Sequence, residues 1–234
     1  MILARLAAEL GAGGLDLVAP LDRDAYDACV APAWRCAHVR ADCRSVLLVG
    51  NAGRAFWSHL ERAPEAQDPE HPVDRYTLRV LEQAVRRADP AASIALYWEQ
   101  RDGEFLPLVA LAERAGLGRR GRIGLLIHPV YGPWVSLRAA VFLDAQVARA
   151  GALASSSCDG CPAPCQLACH GKAVAPGGLD LVRCAATQRE HPACRLGCDA
   201  RLACVVGREH AFSSEQIVHH SRPRESLTRW PTQQ

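Results

Sequence analysis

Residues 128–144, HPVYGPWVSLRAAVFLD, set a Gly-Pro-Trp turn between apolar runs that read as core. Downstream, Val135 to Phe142 has the composition of a strand, and upstream Arg122 to Ile127 reads as another. Fourteen residues after Asp144 a second unusual stretch begins, 158–174, CDGCPAPCQLACHGKAV. Glycine, proline and cysteine replace the periodic apolar pattern there, and the small, polar AGALASSS at 150–157 between the two stretches has the composition of a linker.

Working back toward the N-terminus, helical and strand patterns alternate. Ile2 to Leu10 reads as a helix, Ser45 to Val49 as a short buried strand, Ser93 to Trp98 as a strand and Leu106 to Ala115 as a helix. Val73 to Ala88 is amphipathic, with Val73, Leu78, Leu81 and Val85 inward and Arg75, Arg79, Glu82 and Arg86 outward. Such alternation implies a layered α/β or α+β domain. The expected organisation is residues 1–150 as one domain, 151–220 as a cysteine-rich module and 221–234 as a frayed tail of low hydrophobicity.

The chain has 234 residues, 49% of them apolar and 22% charged, the ordinary balance of a soluble globular protein. No apolar run approaches the roughly 20 residues that span a bilayer, and the N-terminus lacks the pattern of a signal peptide. A cytoplasmic location and no membrane partner are therefore expected. Net charge is only +2, with no basic stripe, so nucleic acid is not an expected partner. Only Lys172 among the 27 basic residues is a lysine, which fits a codon bias more simply than a ligand.

Cysteine is the anomaly: Cys29, Cys36 and Cys43 lie early, and eight of the 11 fall between positions 158 and 204. In a reducing compartment such clustering points to metal ligands rather than disulfides. The spacing is Cys158-x2-Cys161-x3-Cys165-x3-Cys169, then Cys184, Cys194-x3-Cys198 and Cys204. A cubane iron–sulfur cluster needs four converging thiolates, and in two-cluster ferredoxins the fourth cysteine of each run serves the other cluster. Applied here, Cys158, Cys161, Cys165 and Cys204 form one set, and Cys169, Cys184, Cys194 and Cys198 the other. Cys165 comes one residue late against the bacterial pattern, and His170 and Val205 stand where proline is usual. Zinc, which favours two ligand pairs across a longer spacer, suits four cysteines within twelve residues less well. Cys29, Cys36 and Cys43 recur every seven residues, but Pro32 interrupts any shared helix, and they read as small buried residues.

The stretch from Ala115 to Asp144, AGLGRRGRIGLLIHPVYGPWVSLRAAVFLD, resembles the corrinoid-binding core of epoxyqueuosine reductase, reductive dehalogenases and the cobalamin-processing protein that decyanates and dealkylates vitamin B12. The likeness lies in Ala115-Gly116-Leu117-Gly118, Gly121, Leu125 to Ile127, Pro129, Gly132, Trp134, Leu137 and Asp144. SVLLVGNAGRAFW at 45–57 matches an early strand of the same group. The cysteine run with LDLVRC is similar to the dicluster module of epoxyqueuosine reductase. The resemblance implies an α+β fold, a nitroreductase-like α/β sandwich followed by a ferredoxin-like iron–sulfur module, with two [4Fe–4S] clusters and a cobalamin; FMN in the same cavity is an alternative.

A corrin site needs close main-chain approach, which Gly118, Gly121 and Gly132 permit, and flat apolar contact, which Tyr131 and Trp134 can give. His128 is a further candidate contact, and Arg138 matches the arginine of the cobalamin-processing motif. For Trp134 the competing reading is a tight turn with the indole in the core; for Arg138 it is a surface salt bridge. GNAG at 50–53 has the composition of a phosphate cradle. The expected function is an iron–sulfur oxidoreductase carrying electrons to a bound cofactor, with an electron donor such as flavodoxin or a reductase and a small-molecule substrate. The helical-repeat extension with which epoxyqueuosine reductase holds transfer RNA is not expected here. The alternative is a cofactor-free ferredoxin-type carrier or a cysteine- or zinc-stapled interaction module.

Overall fold

The computed structural model describes residues 2–147 and 158–221. The linker at 150–157 and the tail beyond Ser221 lie outside the described residues. Two compact units emerge: one runs as far as Gly118 and resumes at Val135, and the other joins Arg119–Trp134 to the cysteine-rich chain beyond the undescribed segment. Residues 119–134, read from sequence as part of the 1–150 domain, thus cluster with the cysteines.

The first unit is a mixed helix-and-sheet structure built on four antiparallel strands, β1 (Leu17–Asp22), β2 (Ser45–Ala52), β3 (Ser93–Leu96) and β4 (Val135–Leu143), in the order β1-β2-β4-β3. Every residue of β2 is buried. A strand covered on both faces needs no polar alternation, and Val46–Val49 is accordingly a continuous apolar run. Leu47 and Val49 of β2 and Ala139, Val141 and Leu143 of β4 share one core with Leu6 and Leu10 of helix Ile2–Ala12 and Val73, Val80 and Leu81 of helix Pro72–Ala88. On β4, Phe142 meets Tyr26 edge-on at 5.3 Å.

Helix Pro72–Ala88 follows its sequence period, with Pro72 in the first turn, where its missing N–H costs nothing. β1 was not expected from sequence, because Pro20 interrupts its pattern; it is tolerated since β1 lies at the sheet edge. The β2–β4 register shifts at Val49/Gly50, and a Cβ on Gly50 would come within 2.4 Å of the Ser136 carbonyl oxygen. The bulge needs a glycine there.

Two local expectations are corrected. GNAG is no phosphate cradle: Gly50, Asn51 and Ala52 complete β2, and the Ala52 N–H is already donated to the Asp16 carboxylate at 2.9 Å. Nor is Arg122–Ile127 a strand. Only Leu126–Ile127 pairs, with Arg119–Arg120, because Gly124 turns the chain at φ 76° and donates its N–H to Gly121. Cys36 and Cys43 are fully buried, and the Cys43 thiol donates to the Ser45 carbonyl at 3.4 Å while hydrogen-bonded to Cys36.

The second unit has short elements: helices Pro164–Ala168, Leu181–Glu190, Pro192–Leu196, Asp199–Leu202 and Ser214–Ser221, and a small ribbon of Val174–Ala175 with Gly178–Leu179. Ile123, Ile127, Val174 and Ala200 form its apolar centre, with Cys158, Cys165, Cys169 and Cys204 packed around it. No helix among the described residues is long and apolar enough to cross a membrane.

Candidate functional site

Eight thiols of the second unit line two hollows. Cys158, Cys161, Cys165 and Cys204 face one, closed in by Ile123, Ile127, Pro164 and Val206. Cys169, Cys184, Cys194 and Cys198 face another, together with His170, Thr187 and Asp199. Along the chain the two sets interleave, since Cys169 follows Cys165 yet joins the later cysteines, while Cys204 returns to the first group. Helix Asp199–Leu202 links Cys198 of one set to Cys204 of the other.

Within each set the thiols act on one another. Burial pushes the Cys165 thiol up, and Cys158, Cys204 and Cys161 add to the shift. Burial raises Cys184 to about 11, reinforced by Cys198, Cys169 and Cys194. Cys194, Cys198 and Cys204 are also raised, chiefly by burial. Buried thiols that resist ionisation beside other cysteines form a donor set that a positive centre would satisfy. Main-chain N–H groups point at the sulfurs: Ala163 at Cys161 at 3.4 Å, and Ala173 at Cys169 at 3.3 Å. Among the described residues, however, no three Cys, His, Asp or Glu side chains converge on a point that a single metal ion could take.

The Gly-Pro-Trp turn closes on the chain itself. Gly132 has φ 56°, and a Cβ there would lie 2.0 Å from the Val206 carbonyl oxygen; Gly207 has φ 66°, and its Cβ would lie 2.4 Å from the Tyr131 carbonyl carbon. The two glycines let the turn and the segment just after Cys204 press main chain on main chain. Trp134 is 1% exposed, packed against Phe212 at 5.6 Å, with the Arg201 guanidinium over its ring at 4.9 Å. The indole is a core residue. His128 Nδ1 accepts the N–H groups of Val130 and Tyr131 at 3.1 and 3.2 Å, and the Tyr131 ring lies between those of His128 and His210. Burial and His210 hold the imidazole below its ordinary pKa, so it stays a neutral acceptor. A Cβ on Gly121 would crowd Ile127 at 2.5 Å and the Cys158 sulfur at 3.3 Å, so this glycine serves the first hollow.

The remaining candidates belong to the first unit. Gly118 is buried after helix Leu108–Arg114. Arg138 of β4 is no surface salt bridge: it is 3% exposed, its Nε donates to Asn51 Oδ1 at 3.0 Å, and its guanidinium lies 5.0 Å from the Phe56 ring. Asp144 is an exposed strand-end residue paired with Arg40 at 3.4 Å. Sequence reasoning missed Arg201, Val206 and Gly207; the one signal for them was their position around Cys204.

No family model matches the chain, and no curated protein matches it by sequence. Solved structures do. Epoxyqueuosine reductase, crystallised with an epoxyqueuosine-modified tRNA stem loop, superposes with a TM-score of 0.61 at 18% identity over 91% of this chain and 67% of its own. The B12-trafficking protein CblC of C. elegans gives 0.58 at 14% identity, over 97% of this chain and 92% of its own. The catabolic reductive dehalogenase NpRdhA gives 0.57 at 14% identity, over 92% of this chain and 33% of its own. The chain therefore has the fold that these proteins share, a fold in common among epoxyqueuosine reductase, CblC and reductive dehalogenase.

Proposed function

We propose that this chain is an iron–sulfur oxidoreductase that passes electrons through two [4Fe–4S] clusters to a bound cobalamin. The observation that carries the reading is the division of eight thiols into two interleaved sets, each lining its own hollow. In this reading the second unit is a ferredoxin-like module: Cys158, Cys161, Cys165 and Cys204 hold one cluster, and Cys169, Cys184, Cys194 and Cys198 the other. The first unit is a nitroreductase-like domain. When bound, the clusters supply one-electron carriage. The chain supplies the thiolates, the N–H groups of Ala163 and Ala173 aimed at sulfur, and the walls of Ile123, Ile127 and Val206 that keep water from the first set. The reaction class is redox chemistry on a small molecule, with electrons from a donor such as flavodoxin or a reductase. Nucleic acid is not proposed as substrate, given the even charge balance.

Cobalamin rests on the resemblance of residues 115–144 and on the shared fold. Of the candidate contacts, Gly121, His128, Tyr131, Gly132 and Trp134 are engaged inside the second unit and Arg138 is buried against Asn51 in the first, which leaves Gly118. That engagement favours a second reading, an electron carrier without a corrinoid. Anaerobic purification is expected to give a brown protein with about eight irons per chain; a colourless, zinc-loaded protein would remove the electron-transfer role. Titrating cobalamin into the iron-loaded protein then separates the readings: a changed corrin spectrum supports the first, an unchanged one the second, and a yellow preparation points to FMN.

A further inference from the structure

Two helices that carry the later cysteines bury none of their own residues: Leu181–Glu190, which bears Cys184, and Pro192–Leu196, which bears Cys194. A helix in a folded domain ordinarily hides an apolar stripe. Here Leu181 is 51% exposed, Val182 69% and Leu196 62%, while Cys184, Thr187, Gln188 and Cys194 of the same helices line the second hollow. Leu181 stands one turn ahead of Cys184, and Leu196 falls between Cys194 and Cys198. Large apolar side chains left in water beside such a hollow mark a surface that another molecule covers.

Charge selects the molecule. From Cys169 to Cys198 the chain holds four exposed cations, Lys172, Arg183, Arg189 and Arg195, against two exposed carboxylates, Asp180 and Glu190. Asp180 already caps its helix, accepting the Arg183 N–H at 2.9 Å, and lies 3.8 Å from the Arg183 guanidinium. Arg195 is fixed across the two helices, its Nε donating to the Gln188 carbonyl at 3.2 Å. A second copy that met this face in a symmetric dimer would set cation against cation. Residues 222–234 of the chain carry three arginines and one glutamate, so like charge counts against them as well.

We propose that the exposed surface of helices Leu181–Glu190 and Pro192–Leu196 is the docking face of an acidic electron-donor protein that reduces the centre held by Cys169, Cys184, Cys194 and Cys198, a role that rests on the two-cluster reading above. One electron leaves the donor, which is oxidised, and enters that centre, which is reduced; no bond forms or breaks. A donor seated there lies within one helix diameter, about 10 Å, of the sulfurs. Leu181, Val182 and Leu196 give the contact its apolar part, and the cations draw the partner in, as suits a small and short-lived redox encounter.

The test follows reduction of the iron-loaded protein by stopped-flow absorbance, with reduced flavodoxin as the acidic donor and reduced methyl viologen, a small cation, as a reductant that needs no docking face. Arg183→Glu combined with Arg189→Glu should lower the flavodoxin rate constant about tenfold or more at low salt and leave the viologen rate within about twofold. Arg86→Glu, on the exposed side of helix Pro72–Ala88 in the first unit, should change neither rate. Raising salt from about 50 to about 500 mM should slow the wild type with flavodoxin and the double variant far less. Should the double variant fail to hold its iron, Arg183→Gln combined with Arg189→Gln carries the same prediction at about threefold. Iron-loaded protein that flavodoxin does not reduce, or reduces at a rate indifferent to salt and to these substitutions, overturns the proposal. So does an equal loss in Arg86→Glu, a loss in Arg208→Glu beside the first set with none in the double variant, or a wild-type dimer in sedimentation that Val182→Asp dissociates. A wild type without iron overturns the two-cluster reading and the docking role with it.

Discussion

At Gly132 and Gly207 two positive-φ glycines face each other's main chain, and neither position has room for a methyl group. Gly132→Ala is expected to destabilise the second unit by roughly 2 kcal/mol or more, from backbone strain and steric clash together. Gly207→Ala should behave alike, and the double variant should lose less than the sum, because both relieve one contact. Denaturation midpoints of the four proteins check this; strictly additive losses would mean that the two glycines do not share a contact. At His128 the sign of the pH effect follows from its acceptor role. Its folded pKa is depressed, so its contribution is present above the unfolded value of about 6.5 and is lost as pH falls through the folded one. Between pH 7.5 and 5.5 the wild-type midpoint should fall more steeply than that of His128→Asn, whose side-chain carbonyl can still accept from the turn; equal slopes would contradict this role.

Among the elements, legibility followed how local the cause was. Helix Pro72–Ala88 could be read because its period and its opening proline lie within its own sequence. β1 could not, because what permits Pro20 is the place of β1 at the sheet edge. The Arg122–Ile127 run has the apolar residues of a strand, but the turn from Gly121 to Gly124 interrupts it. Arg138 read as a contact or a surface charge, and the pairing of β2 with β4 buries it against Asn51 instead. Arg138→Ala should cost roughly 2 kcal/mol by leaving the Asn51 amide oxygen without its donor. Chemical denaturation measures it, and a loss below a few tenths would mean that Asn51 finds another donor.

For the whole molecule, the hollows divide the eight thiols into the same two groups as the interleaved spacing does. What could not be read was the partner of the Gly-Pro-Trp turn. Glycine announced a close approach, but the approaching group is the Val206–Gly207 main chain, more than seventy residues away. A turn read as a ligand surface is, within the second unit, the clamp for the segment that carries Cys204. Variants of single cysteines separate an interleaved partition from a sequential one. Paramagnetic spectra of reduced Cys169→Ser and Cys165→Ser, each with about half the wild-type iron, should show the loss of two different signals, with Cys204→Ser matching Cys165→Ser. If Cys169→Ser and Cys165→Ser abolish the same signal, the four closely spaced cysteines serve one centre and the interleaved account is wrong.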